Sequence, residues 1–478
     1  MRQTLRRSCD ACAKSKSSCD LRTPHCSRCI KRQIECAYAN EPLTRPATPG
    51  WQNGGSTGAL DGSGSLTNYR FGSLDPFDSY PPTRLPREHV QRLIYGFLHK
   101  IAFQYYPLDL NATSNPFLVS WWPLALGDPA LFHVSLQTAC LDEELLAQKG
   151  FQTSELLMAD SVALLRRKVG STSLAVQDGT LNSIITLATI EFGKGNAKVG
   201  EMHVEGLKKL VDMRGGINAV RQTSPLTARM ISWVSMLIMG HPQFQTQDDF
   251  GTGDGIPPIP EWQLDPTALN AGLFDISATS VDYEVKNVFI RLRHVFQRAR
   301  NIPFPTTQLH DLTCYVIHRL LLSTPDPTLP QLSPMTQCIR YGIILYMFIA
   351  QGPTYYSHAV ILNTIVTRFM EQLQHIASPD PVYDSLDVWF SIVGMVASVG
   401  TVHHQWFIEK AQGIADSLQL ANFDEILTHI KTVLWLEKAQ VEDIFRAHWE
   451  ASINATGQQV PSDLTMVFSP YNTSVKFT

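Results

Sequence analysis

From about Arg84 to Ala451 apolar residues recur three and four positions apart, the spacing that lines one face of an α-helix. In Val199–Arg214 the stripe is Val199, Met202, His203, Gly206, Leu207, Leu210 and Val211. Lys208 and Lys209 face away from it, and Gly215-Gly216 supplies the stop. Similar stripes run through Ser154–Val169, Asp178–Phe192 and Asp282–Arg300, the last aligning Val285, Val288, Phe289, Leu292, Val295, Phe296 and Ala299. Leu226–Met239 and Tyr341–Ala350 are apolar all round, which predicts central, buried helices; the longest near-continuous apolar stretches, Met230–Met239 and Tyr341–Ala350, are about half a membrane span, so no membrane partner is expected. Val90–Ile101 reads as the first core helix, and further helices fit Asp311–Leu322, Tyr356–Ile376, Leu386–Val399, Gln405–Leu418 and Glu425–Glu450. No convincing alternating strand appears. The pattern predicts an all-α body of ten to thirteen helices.

Before this body the pattern is lost. Between Pro42 and Thr67, sixteen of twenty-six residues are Gly, Pro, Ser or Thr, a composition that makes a flexible tether with a reach of about 30 Å. The expected organisation is a small head at 1–40, a flexible linker at 41–72, a large helical domain at 73–455 and a tail at 456–478. Residues 37–70 hold no run of heptads, so the head carries no coiled coil of its own. Binding as a monomer, or as a homodimer held through the helical body, is the expectation. Leu74-Asp75-Pro76-Phe77-Asp78 mixes acids with an aromatic and reads as an entry segment docking on the body, the alternative being a short activation segment.

Charge and cysteine change this picture at one end only. Residues 1–36 hold nine cations against three acids, a net +6, which leaves −10 for the remainder of a chain whose total is −4. A basic head on an acidic body points to a polyanion partner for the head. Six of the nine cysteines fall within the same stretch, while Cys140, Cys314 and Cys338 are scattered through apolar sequence as expected of inert core residues. Met1–Arg7 is polar and basic with no apolar run behind it, so no secretory leader is expected, and a cysteine cluster without export is better explained by metal than by disulfides.

The unit C-x2-C-x6-C occurs twice with identical spacing, Cys9-Cys12-Cys19 and Cys26-Cys29-Cys36. Two cysteines three apart at a helix start present both sulfurs to one tetrahedral Zn²⁺. Six thiolates cannot supply four private ligands to each of two zinc ions, so two sulfurs bridge or only one ion is bound. The symmetry of the repeat favours Cys9 and Cys26 as the bridges. Two Zn²⁺ with six thiolates carry −2, leaving the loaded head at about +4. A three-disulfide staple, and a single zinc on the two C-x2-C pairs with Cys19 and Cys36 spare, remain the alternatives. His25 adjoins Cys26 and is surplus to the six thiolates.

Cys9–Cys36, with Lys14 and Lys16 between the second and third cysteines, Asp20 after the third and Pro24 two before the fourth, resembles the fungal Zn(2)-Cys(6) binuclear cluster family. That resemblance implies two Zn²⁺ per chain, double-stranded DNA as partner, and a first helix entering the major groove to read a CGG-type triplet. Carried over by position, Lys16 is the candidate base reader, with Lys14 and Ser15 beside it. Arg6, Arg7, Lys31 and Arg32 flank the cluster as candidates for phosphate contact, the alternative being a solvated surface or an import signal. Ala13 and Ser18 stand where the family often has cations, which implies fewer phosphate contacts. Asp128-Pro129-Ala130-Leu131-Phe132-His133, His203-x2-Gly206-Leu207, Trp233 with Pro242-x-Phe244, Trp389 with Gly394, Trp406-Phe407 and Trp435 resemble the regulatory domain that follows the cluster in these fungal factors. It implies a nuclear regulator of RNA polymerase II genes, working with transcription co-regulators, and points toward a biosynthetic or metabolic gene set.

The chain holds no HExxH, no GxxxxGK[ST] and no GxSxG. Gly251-Thr252-Gly253-Asp254-Gly255 and Gly193-Lys194-Gly195 follow no strand and read as turns, and His403-His404 as a helix start. No catalytic residue and no enzyme are expected. The competing reading is a metal- or redox-responsive scaffold whose cluster does not touch DNA, and Lys16→Ala separates the two.

Overall fold

The computed structural model describes residues 10–17, 27–34, 80–148, 150–263, 281–302, 304–322, 333–355, 358–378 and 382–454. The chain divides into two compact units, Met1–Arg70 and Phe71–Thr478. The segment Leu74–Asp78 lies outside the described residues.

Among the described residues the larger unit is all α, with no strand and a single isolated bridge between Thr246 and Ile256. The stripe of Tyr283–Ala299 is buried as the periodicity predicts, every one of its seven apolar positions below one-tenth exposure. Asp282 caps that helix, its carboxylate accepting the Glu284 amide at 2.9 Å. Pro225–Met239 and Pro334–Gln351 are the central helices, the second buried continuously from Cys338 to Gln351.

Four expectations need correction. Among the described residues the body has eighteen α-helices, more than ten to thirteen, because Ala102–Tyr105, Trp122–Gly127, Thr172–Ala175 and Gly216–Thr223 are too short to show a period and one predicted helix divides in two. Val90–Ile101 starts as the α-helix Arg87–Gly96 but widens into a π-helical stretch at Phe97–Ile101. In Ala197–Met213 the buried residues are Gly200, Val204, Leu207, Leu210 and Val211, so the predicted face holds at Leu207, Leu210 and Val211 but not at Met202, 66% exposed, or Gly206, exposed. The first half departs because Gly200 packs closely on the Asp178–Gly193 helix, where a Cβ would stand 2.9 Å from the Ala188 carbonyl. Finally, Glu425–Glu450 is two helices, Phe423–Val433 and Ala439–Asn454. No Pro or Gly marks the break; Leu434, Trp435 and Leu436 turn inward instead. The Trp389 indole donates to the Leu434 carbonyl at 3.0 Å, and the Leu436 amide donates to the Tyr346 hydroxyl at 2.8 Å.

The interior is one continuous apolar cluster from Val90 to Trp449. Aromatic groups mark its parts. Phe97, Tyr105, Phe117, Trp121, Trp122 and Phe132 pack together near the start, and Phe296, Tyr346, Trp389, Trp435 and Phe445 near the end. Among the buried charges is Asp311, 4% exposed, gripped by both arms of Arg229 at 2.8 and 2.9 Å and by Arg221 at 2.9 Å. Gly251–Gly255 lies in a loop whose Asp248 carboxylate accepts the Phe250 and Thr252 amides, a turn as expected. His403 stands just before the helix His404–Ser417, its ring bonded to Thr367 at 2.9 Å, and the His404 ring is bonded to Ser398 at 3.1 Å. Cys140, Cys314 and Cys338 are buried, and burial pushes the Cys140 and Cys338 thiols up to about 12, far from the reactive thiolate. No helix among the described residues is long and apolar enough to cross a membrane.

Candidate metal centre and nucleic-acid surface

The head shows two short helices, Asp10–Lys14 and Ser27–Arg32, which touch one another. Helices of five and six residues do not persist alone in water, since the cost of nucleation is not repaid below about a dozen residues. Something other than local propensity holds them. Cys12 sits on the first and Cys29 on the second, and each is 1% exposed.

The two helices obey the same 17-residue offset as the cysteines, and their ends are copies. Lys16 and Gln33, equivalent under that offset, are both left-handed, with φ of 48° and 50°. The Ser17 amide reaches back to the Cys12 carbonyl at 3.0 Å, and the Ile34 amide to the Cys29 carbonyl at 3.2 Å. This is the six-to-one bond of a Schellman turn, which satisfies a carbonyl that the helix end leaves open. The internal repeat is thus visible in backbone as well as in sequence.

Burial in the head runs opposite to that of an ordinary core. Among its residues with described side chains only Cys12 and Cys29 are buried, while Ile30 and Ile34 are 60% and 47% exposed. A segment that turns its sulfurs in and its isoleucines out is organised around sulfur chemistry and not around apolar area. The donor set fits a thiophilic ion such as Zn²⁺. Lys14, Ser15, Lys16, Lys31 and Arg32 are all exposed, so the cations occupy the outside of the same two helices. Ser15 is engaged locally, its hydroxyl donating to the Ala11 carbonyl at 2.9 Å and to that of Cys12 at 3.3 Å. Cys9, Cys19, Cys26, Cys36, Arg6, Arg7 and His25 lie outside the described residues. With four of six cysteines among those, no group of three or more His, Cys, Asp or Glu placed to hold a metal occurs among the described residues.

Residues 7–46 match the fungal Zn(2)-Cys(6) binuclear cluster domain, and residues 92–241 match the fungal specific transcription factor domain. The chain carries the two domains of a fungal transcription regulator of the Zn(2)-Cys(6) type. No curated protein and no solved structure matches it. Both matched families are transcription factor domains, and the first gives the regulator a zinc-binding, DNA-binding head. The matched part of the body ends at 241, yet the core does not: Arg221 and Arg229 inside it find their counter-ion in Asp311 beyond it.

Reading the sequence missed Ser17 and the paired left-handed residues. The signal was present in the repeat itself, where Ser15-Lys16-Ser17 aligns with Arg32-Gln33-Ile34.

Proposed function

We propose that the regulator binds two Zn²⁺ per chain through Cys9, Cys12, Cys19, Cys26, Cys29 and Cys36, with Cys9 and Cys26 bridging, and reads CGG-type triplets with the end of its first helix. Lys16 and Lys14 donate to guanine acceptors in the major groove, and Arg6, Arg7, Lys31 and Arg32 neutralise phosphates. Zn²⁺ supplies the crosslink that holds the thiolates and hence the two helices. The protein acts in the nucleus on RNA polymerase II genes, a biosynthetic or metabolic set fitting the family's pattern. Any homodimer forms through the body, where co-regulators also bind.

The observation that carries this reading is the inverted burial of the head, thiols inside and lysines outside on the same short helices. The polyanion meets the loaded head, at about +4, and phosphate neutralisation acts over a Debye length of about 8 Å.

The test is zinc stoichiometry by elemental analysis together with duplex binding at several salt concentrations. Two zinc ions per chain, a steep loss of affinity with salt and at least a tenfold preference for a CGG-bearing duplex over a scrambled one are expected. Full zinc loading with equal affinity for both duplexes refutes the triplet assignment.

A further inference from the structure

The turn that ends the first helix is fastened more tightly than its partner in the second unit. Ser15 donates its hydroxyl to the Ala11 carbonyl at 2.9 Å and to the Cys12 carbonyl at 3.3 Å. Ser17 donates its hydroxyl to the Ser15 carbonyl at 3.0 Å, while its amide closes the turn on Cys12 at 3.0 Å. Between the two serines stands Lys16 at φ 48°, a left-handed backbone that a side chain with a Cβ adopts only against steric resistance.

The second unit is the control. Gln33 takes the same left-handed conformation and Ile34 makes the same backbone bond to Cys29, yet the residues equivalent to Ser15 and Ser17 are Arg32 and Ile34, which have no hydroxyl. The turn therefore forms without serines. In the first unit the hydroxyls add something beyond making the turn, and they add it on either side of the exposed lysine. A lysine side chain has four rotatable bonds and loses much freedom when it docks. Fixing the backbone from which it springs lowers that loss and sets the direction of the chain before DNA arrives.

We propose that Ser15 and Ser17 are positioning residues for Lys16: their hydroxyls lock the helix-ending turn so that the lysine is held ready for the duplex, and neither serine itself reads a base. This rests on the reading of Lys16 as a contact to DNA, and it replaces direct readout by Ser15. The hydroxyl of Ser15 is spent on its own helix, whereas among the described residues the Lys16 ammonium makes no hydrogen bond or ion pair.

The experiment uses the full zinc-loaded chain and a short fluorescent duplex carrying CGG, with affinity from anisotropy and zinc content measured on the same samples. Ser15→Ala is expected to weaken binding about threefold to tenfold, the worth of one net hydrogen bond, with zinc content unchanged. Ser15→Thr, which keeps the hydroxyl, restores affinity, and Ser17→Ala gives a loss in the same range. The deciding comparison is a double-mutant cycle: in a Lys16→Ala background, Ser15→Ala causes no further loss. A Ser15→Ala loss that adds in full to that of Lys16→Ala, that threonine does not rescue, or that comes with lost zinc overturns the positioning role. So does unchanged affinity in both single serine variants. If Lys16→Ala itself leaves affinity unchanged, the DNA reading fails and this proposal fails with it; if only the serine variants are silent, the DNA reading stands alone.

Discussion

Replacing Asp311 by alanine should cost the body about 3–5 kcal/mol, the range for breaking a buried ion pair from one side. Burial alone pushes the Asp311 carboxyl up, but the hydrogen bonds and charge of Arg229, with Arg221 behind them, outweigh it and hold the carboxyl below the usual carboxylate range. The arginine side chains are only 15% and 23% exposed, so water does not take over when the carboxylate goes. Three short charge-assisted bonds are lost at once, and they join three helices: Gly216–Thr223, Pro225–Met239 and Thr306–Leu322. Urea unfolding of the full chain, followed by tryptophan fluorescence, reads the loss as a shift of the midpoint, since Trp233 lies on the central helix of this group. Two controls separate a lost pair from a lost shape. Arg229→Met added to Asp311→Ala should recover part of the stability by removing the stranded cation, and the effect should change little between low and high salt because the pair is shielded from solvent. A midpoint shift worth less than about 1 kcal/mol, or no recovery in the double variant, would refute the assignment of the triad as a buried clasp.

Other outcomes follow from the same geometry. Burial lowers His310, His318 and His358 to about 4, so each is neutral when folded and gains a proton on unfolding between about 4 and 6.5. Their contribution is fully present above 6.5 and is lost as pH falls toward 4, up to about 3 kcal/mol apiece, which equilibrium unfolding across that range would record. Gly394→Ala places a Cβ 2.1 Å from a ring carbon of Phe407 and should destabilise by about 1–3 kcal/mol, read by thermal melting. Stripping zinc with a chelator should abolish duplex binding while leaving far-UV helicity nearly unchanged, because the helices of the head are so short; re-adding Zn²⁺ should restore binding. A fragment limited to residues 92–241 should fail to fold cooperatively by calorimetry, since it exposes Trp233 and strands Arg229.

How much of this was legible depended on whether the cause was local. The cysteine repeat was, because metal ligation is dictated by residue type and spacing. The face of Tyr283–Ala299 was as well, since its seven apolar positions admit a single orientation. Ala197–Met213 was read correctly at Leu207, Leu210 and Val211 but misjudged in its first half, where the contact passes through Gly200, a residue that hydropathy counts as nothing and that packing uses for close approach. The break after Val433 was invisible for a related reason. Nothing in Leu434-Trp435-Leu436-Glu437 interrupts a helix locally; the interruption is stabilised by Trp389 and Tyr346, some 45 and 90 residues earlier. The locking of Lys16 was overlooked because serines beside a lysine look like solvated loop until their carbonyl partners are seen.

The unbroken interior of the larger unit has a genetic corollary. With one cluster running from Val90 to Trp449, the described residues offer no seam at which damage can be contained. Alleles that cripple this regulator from within that region should therefore sort by depth below the surface and not by nearness to any site. Many should be conditional, silent in the cool and null in the warm, with loss of the whole polypeptide from the cell as their shared phenotype.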